Sequence, residues 1–359
     1  MNSPTERLVC AVMAGGSGTR FWPMSRRQRP KQLLALMSGE TLLAETLARI
    51  ESICPAERAL VITAARLVDS VREQLPDLPA SHVIGEPVAR NTAPCFELAA
   101  ILAQKICDDA IIALLPADHH IGAPAVFRQA LTLACEQADK GHIVTLGVVP
   151  SRPETGYGYI ELSDSVGVGT HRVERFVEKP DFEKALQYVR GGQHLWNAGV
   201  FVVRADVARQ AVRRHLPALS DALEALADCS PMQLADGSLQ QALNERFESC
   251  PSISVDYGVM EHEEQLYCVT LDAAWSDVGT WQSLLDHRND SQSNYIRGDV
   301  LEIDCEGSVL VGEGVTVAAL GLRDTAVVAT EDAVLVMPVG RSQDVRAVVD
   351  ALKDRKELL

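Results

Sequence analysis

Short apolar runs alternate with stretches of helical periodicity through the first 150 residues, and few architectures accommodate that rhythm. LVCAVMA (8–14) precedes TLLAETLARIES (41–52), ALVIT (59–63) precedes AARLVDSVREQL (64–75), and HVIG (82–85) precedes NTAPCFELAAILAQKI (91–106). AIIALLPAD (110–118) precedes AVFRQALTLACEQA (125–138), and HIVTLGVV (142–149) closes the series. Strand-length runs alternating with helices of ten or more residues specify an α/β fold with a Rossmann-like, doubly wound sheet. Ligands of such sheets bind beyond the carboxyl ends of the strands. GGSGTR (15–20), GEPVARNTAP (85–94) and PADHH (116–120) all fall there.

From 157 to 280 strand-like runs (YGYIEL, RVERFVEK, GVFVVR, EQLYCVTLD) mix with helices expected over 181–190 and 205–227, without a linker of biased composition. The sheet therefore continues into a second half of one domain. After about 295 short strands recur at roughly ten-residue spacing (SVLVGEG, VTVAALGLRD, TAVVATEDA, VLVMPVG), and a helix from about Ser342 places Val345, Val348, Val349 and Leu352 on one face. The expected organisation is a domain over 1–290, with halves of about 1–150 and 151–290, and a small β module over 295–359.

Charge narrows the function. The 359 residues carry 49 acidic and 33 basic side chains, a net charge of -16, which argues against a nucleic-acid polymer as partner. Nine scattered cysteines signal neither a disulfide framework nor a zinc site. The start lacks a basic region followed by an apolar core, and no run approaches a membrane span, so a cytoplasmic location is expected.

Against this acidic background, Arg20, Arg26, Arg27, Arg29 and Lys31 follow the glycine turn with no acid between Glu6 and Glu40. The turn is neither G-x-G-x-x-G, since Phe21 stands where the third glycine would be, nor a P-loop, since Thr19 and Arg20 follow Gly18. What remains is a strand ending at Ala14, a turn whose Gly15, Gly16 and Gly18 let backbone N–H groups approach an anion, and Arg20 and Lys31 to neutralise a polyphosphate. A tight turn beside a solvated basic loop is the competing interpretation of GGSG alone.

GGSGTRFWPMSR followed by PKQL resembles the signature of nucleotidyltransferases that make nucleotide sugars, most closely the mannose-1-phosphate guanylyltransferases. The resemblance runs in order through RNTAPC (90–95), LLPADH (114–119), PETGYGYI (153–160), RFVEKP (175–180), WNAGVF (196–201), DYGVMEH (256–262) and WSDVGTW (275–281). It implies GTP and mannose 1-phosphate as substrates, GDP-mannose and pyrophosphate as products, Mg²⁺ as cofactor, and a partial left-handed β-helix that often mediates dimerisation. Asp118 and Asp277 are then the metal ligands, consistent with a hard cation that takes one or two carboxylates plus phosphate oxygens. Adjacent His119 and His120 point to opposite sides of an extended segment and are not expected to share an ion. Glu178 and Lys179, with Tyr157, Gly158 and Asn197, fit the sugar phosphate; Glu86, Asn91 and Thr92 fit the base, because a carboxylate accepts from guanine N1–H and N2–H₂ together. Asp256 serves the sugar or holds a loop, and Trp196 and Phe201 are assigned to the core.

Phe21, Met24, Cys95, Ala198 and Thr280 depart from the family pattern; Ala198 lacks a hydroxyl near the expected sugar site and weakens the sugar assignment most. About 60 residues after 295 are too few for the isomerase module of longer members, so no isomerase activity is expected. Two other readings stay open: transfer to another sugar or from another nucleotide, and a non-catalytic nucleotide-sugar sensor.

Overall fold

The computed structural model describes residues 3–16, 18–228, 238–287 and 293–359. Two compact units interleave along the chain: Met1–Gly15, Thr46–Ala117 and Ile121–Trp275 form the first, and Gly16–Glu45, Asp118–His120 and Ser276–Leu359 the second. Among the described residues no helix is long and apolar enough to cross a membrane.

The first unit is built on nine strands: β1 (Leu8–Ala14), β2 (Ala59–Ala64), β3 (Val83–Glu86), β4 (Ile111–Pro116), β6 (Ile143–Val148), β7 (Tyr159–Gly167), β8 (Thr170–Val177), β9 (His194–Arg204) and β10 (Leu266–Thr270). The two-residue strands β5 (His120–Ile121) and β11 (Trp275–Ser276) fall where the chain leaves one unit for the other. The sheet order is β3-β2-β1-β4-β9-β6-β10-β8-β7. The first four strands are mutually parallel, and β1 is buried on both faces, which is why its sequence is continuously apolar rather than alternating. The sheet does continue into the second half of the sequence, through β9, which runs antiparallel to both β4 and β6. The helix Thr92–Ile106 is buried from Ala93 through Ala103, so its sequence is apolar on every side.

The helix expected over 205–227 is two helices, Ala205–His215 and Pro217–Ala227. Proline disfavours the helical region for the residue before it, and Leu216 sits at φ -131° and ψ 59°.

In the second unit β12 (Tyr295–Ile303), β13 (Val309–Leu320) and β14 (Thr325–Ala329) run parallel, and β15 (Val334–Pro338) returns antiparallel. Parallel neighbours in an open sheet need long crossovers. The short connections here instead wind the chain as a coil, whose corner lies between Gly298 and Val300, where the register with β13 jumps from Gly312 to Val317. Gly298 has φ +77°, and a Cβ there would sit 1.9 Å from the Gly312 carbonyl oxygen, so only glycine turns that corner.

The core of this unit joins distant stretches. Phe21, Trp22, Met24, Leu34 and Leu36 pack with Val278, Trp281 and Leu284 and with Val309, Val311, Ala326, Val328, Leu335, Val339 and Val345. Phe21 meets Trp281 edge-on at 4.9 Å, Trp22 Nε1 donates to the Leu358 carbonyl at 2.8 Å, and the Arg27 amide donates to the Leu359 carbonyl at 2.9 Å. The helix Val345–Ala351 buries Val345, with Val348, Val349 and Leu352 against the same core as its sequence spacing requires.

Candidate active site

Gly18, Thr19, Arg20, Phe21, Lys31, Asp118, His119, Asp277, Gly279 and Arg346, all of the second unit, line a cavity of about 220 Å³. Its organiser is Lys31, 5% exposed. Nζ donates to Asp118 Oδ2 at 2.7 Å and to the Asp277 main-chain oxygen at 2.6 Å, so one ammonium fixes two acid-bearing loops. Gly18 makes this possible: its φ is +56°, and a Cβ would lie 2.3 Å from Lys31 Cβ. Gly16 is also at positive φ, +93°, with open space around it, while Ala14 at the end of β1 accepts from the buried Thr63 hydroxyl at 3.0 Å.

Burial alone would raise the Asp118 carboxyl; the Lys31 ammonium, and after it His119, outweigh this and hold it below the usual carboxylate range. Asp277 lies over Gly279, where a Cβ would meet its Oδ2 at 2.6 Å. Between them Val278 is fully buried at φ +45°, a strained conformation for a β-branched residue that the surrounding aromatic core sustains. Arg20 Nη1 donates to the Gly279 carbonyl at 3.2 Å.

These groups fit a divalent cation held jointly with substrate. Lys31 occupies Asp118 Oδ2 and leaves Oδ1 for a second cation, and Asp277 supplies another hard oxygen donor. Among the described residues no group of three or more His, Cys, Asp or Glu forms a closed metal site, so phosphate oxygens and water would have to complete the coordination. The two histidines do diverge. His119 Nε2 is 3.9 Å from Asp118 Oδ1, whereas His120 faces Glu45 and stacks edge-on with His287.

The basic run divides its labour, which its sequence did not indicate. Only Arg20 and Lys31 line the cavity. Arg26 pairs with Asp332 at 2.8 Å and Arg29 with Glu313 at 2.5 Å, both on the C-terminal strands and their connections, while Arg346, which carries no motif, enters the cavity wall instead.

In the first unit, Glu86 ends β3 with Oε1 buried and unbonded among the described residues, and burial pushes its carboxyl up to about 7. Gln240 clamps the preceding residue, donating to the Gly85 carbonyl at 2.6 Å and accepting from its amide at 3.3 Å. Asn91, at φ 66°, caps the helix Thr92–Ile106 by accepting from the Thr92 amide at 3.0 Å.

The same unit gathers Tyr157, Gly158, Glu178, Lys179 and Asn197. Lys179 Nζ donates to the buried Glu178 carboxylate at 2.6 Å, and Lys179 holds a left-handed φ of 46°. A Cβ on Gly158 would come 2.6 Å from Glu178 Oε2, so the glycine is what lets that carboxylate reach the backbone. Asn197 Oδ1 accepts from Thr145 Oγ1 at 2.9 Å and from the Gly199 amide at 3.0 Å, and its Nδ2 donates to Asp256 Oδ1 at 3.0 Å. Burial, and then the Glu178 charge, pushes Asp256 up to about 7. The Val255 amide donates to Thr92 Oγ1 at 2.9 Å, so the 253–258 segment ties the start of the helix Thr92–Ile106 to Asn197. Trp196 and Phe201 are core, as expected.

Residues 10–294 match the nucleotidyl transferase family, and residues 298–352 match the MannoseP isomerase/GMP-like beta-helix domain. The chain is 40% identical over 355 residues to a mannose-1-phosphate guanylyltransferase of Escherichia coli, covering 97% of this chain and 74% of that protein. It is 38% identical over 350 residues to the alginate biosynthesis protein AlgA of Pseudomonas aeruginosa, covering 96% and 72%. The crystal structure of a protein described as mannose-1-phosphate geranyltransferase from Thermus thermophilus superposes with a TM-score of 0.86 at 37% identity, over 97% of this chain and 99% of that one. With matches to both families in register with the two kinds of architecture described above, the chain belongs to the nucleotidyl transferases, among the mannose-1-phosphate guanylyltransferases.

Proposed function

We propose that this chain joins GTP and mannose 1-phosphate to give GDP-mannose and pyrophosphate. A sugar-phosphate oxygen attacks the α-phosphorus, the new P–O bond forms, and the bond to the β-phosphate oxygen breaks with its electron pair leaving on pyrophosphate. Such a transfer asks the protein for position and charge neutralisation rather than covalent chemistry.

The observation that carries this reading is Lys31, which holds the Asp118 carboxylate and the Asp277 loop in one cavity walled by the glycine turn. The backbone of Gly15, Gly16 and Gly18 and the Arg20 guanidinium receive the triphosphate, and Lys31 keeps the acidic loops in place for it. Asp118 and Asp277 would hold Mg²⁺, which when bound supplies charge neutralisation between the two phosphate-bearing substrates. Glu86, whose buried oxygen has no partner among the described residues, accepts from the guanine edge, with Asn91 and Thr92 shaping that loop. Lys179 neutralises the sugar phosphate, and Glu178, Gly158 and Tyr157 surround the sugar. Asn197, whose acceptor oxygen is already taken, positions Asp256 toward sugar hydroxyls.

We place the chain in the cytoplasm and assign it as a homodimer, the dimer being supported by exposed Leu301, Ile303, Leu320, Val334 and Val336 on the C-terminal strands. Light scattering of wild type and Leu301→Glu tests the dimer; a monomeric wild type rejects it.

The function is tested by pyrophosphate release from a matrix of nucleoside triphosphates and sugar 1-phosphates, with and without EDTA. GTP with mannose 1-phosphate should dominate, and Asp277→Asn should abolish turnover while weakening GTP binding less. Preference for another pair would change the substrates and keep the chemistry; nucleotide-sugar binding without release from any pair would make the chain a sensor.

A further inference from the structure

We propose that Arg346, at the start of the C-terminal helix Val345–Ala351, binds the pyrophosphate end of the triphosphate, so that the β module supplies a group to the phosphate site itself. This rests on the transferase reading above and extends it. Arg346 lines the cavity with Arg20, Lys31, Asp118 and Asp277, yet its side chain is exposed and has no hydrogen-bond or ion-pair partner among the described residues. Nearby basic residues of the module behave differently: Arg341 pairs with Asp344 at 2.7 Å and Lys353 with Asp350 at 3.1 Å.

The charges of the cavity explain why a third cation is needed. Lys31 spends its ammonium on Asp118 and the Asp277 carbonyl, and Arg20 has one nitrogen on the Gly279 carbonyl. The two carboxylates cancel those two cations, and Arg346 alone tips the protein's own contribution to positive. A guanidinium presents paired donors that match two phosphate oxygens, where an ammonium offers a point charge. Its base is well anchored. Val345 beside it is buried in the aromatic core, and the preceding turn is held by Ser342 Oγ, which accepts from the Gln282 amide at 3.2 Å and donates to the Val339 carbonyl at 2.6 Å.

The test is pyrophosphate binding by calorimetry to the full chain, wild type against Arg346→Ala and Arg346→Lys, followed by steady-state kinetics in both directions. Arg346→Ala should weaken pyrophosphate binding at least tenfold and raise the KM for GTP, with Arg346→Lys recovering part of the loss. The KM values for mannose 1-phosphate and GDP-mannose should not move. Arg341→Ala should match wild type throughout, and the melting temperature of Arg346→Ala should be unchanged because the side chain bonds to nothing it would leave unsatisfied. Unaltered pyrophosphate affinity in Arg346→Ala, no pyrophosphate binding by wild type, or an equal loss for all four ligands would overturn the proposal. A wild type that binds pyrophosphate but turns over no substrate pair would reject the transferase reading, while the calorimetric comparison would still decide the role of Arg346.

Discussion

Replacing Lys31 with Met isolates the electrostatic role of the residue on which the cavity is organised. Methionine keeps the Cβ that meets Gly18 and most of the apolar stem, one atom shorter than lysine, so little cavity is created. Two bonds from a charged donor disappear, each of a kind worth about 1.5–3 kcal/mol. Asp118 keeps a side chain 39% exposed, so water can partly replace the ammonium. The loss therefore falls below the ~3–5 kcal/mol that follows breaking a fully buried pair, and we expect about 2–3 kcal/mol at neutral pH. Lys31 holds the folded Asp118 carboxyl below its ordinary value, so in wild type this group contributes stability that is present above its unfolded pKa of ~3.9 and is lost as pH falls through the lower folded value. In the variant burial is opposed only by His119 and a backbone hydrogen bond, so that contribution is reduced. The gap in melting temperature between wild type and Lys31→Met should therefore be widest near pH 7 and should shrink toward pH 4. Turnover should fall on the order of 10²–10³-fold, the cost of removing one preorganised charged donor. A gap independent of pH, or a variant as stable as wild type at pH 7, would refute the argument that Lys31 neutralises Asp118.

Three further outcomes follow from the same geometry. Because Glu86 sits near 7 and must be ionised to accept two guanine donors, the KM for GTP should drop as pH rises through about 7, and Glu86→Gln should flatten that profile and relax discrimination against other bases; an identical profile in the variant rejects Glu86 as the base reader. Asp256, also pushed up to about 7, is protonated more readily folded than unfolded, so its ionisation costs stability as pH rises above its unfolded value; Asp256→Asn should gain melting temperature at pH 8 relative to pH 5 while raising the KM for mannose 1-phosphate, and equal shifts at both pH values count against it. Gly18→Ala adds a left-handed penalty of roughly 1–2 kcal/mol to a collision with Lys31, so turnover should fall as far as in Lys31→Met and the two changes should be far from additive; additive losses would place Gly18 and Lys31 in separate roles.

The parallel half of the sheet was legible because its strands are buried on both faces, which writes them as unbroken apolar runs. The insertion of β9 between β4 and β6 was not, since pairing partners are chosen by tertiary packing and leave no mark on local pattern. Pro217 did carry a local signal, and the uninterrupted helix over 205–227 overlooked it. Asp118 and Asp277 could be singled out through their motif context, and the cavity brings both together. The basic run could not be apportioned in advance: the partners of Arg26 and Arg29 lie roughly 300 positions downstream, and nothing local distinguishes a structural arginine from a phosphate-facing one. Arg346 is silent for the converse reason, being a single cation on a short amphipathic helix. Of the two roles offered for Asp256, the holding of a loop is visible in its contacts, since its segment bonds to Thr92 and its carboxylate accepts from Asn197.

The bond from Trp22 to Leu358 has a consequence in time. The two residues are 336 positions apart, and at a synthesis rate of about 5–20 residues per second roughly 17–67 seconds separate their appearance from the ribosome. Through that interval Phe21, Trp22 and Met24 have emerged without the strands and tryptophan that later enclose them. The glycine turn is followed directly by these residues, so its working shape waits on strands made long after it, and the aromatic side chains beside it stay uncovered until those strands arrive.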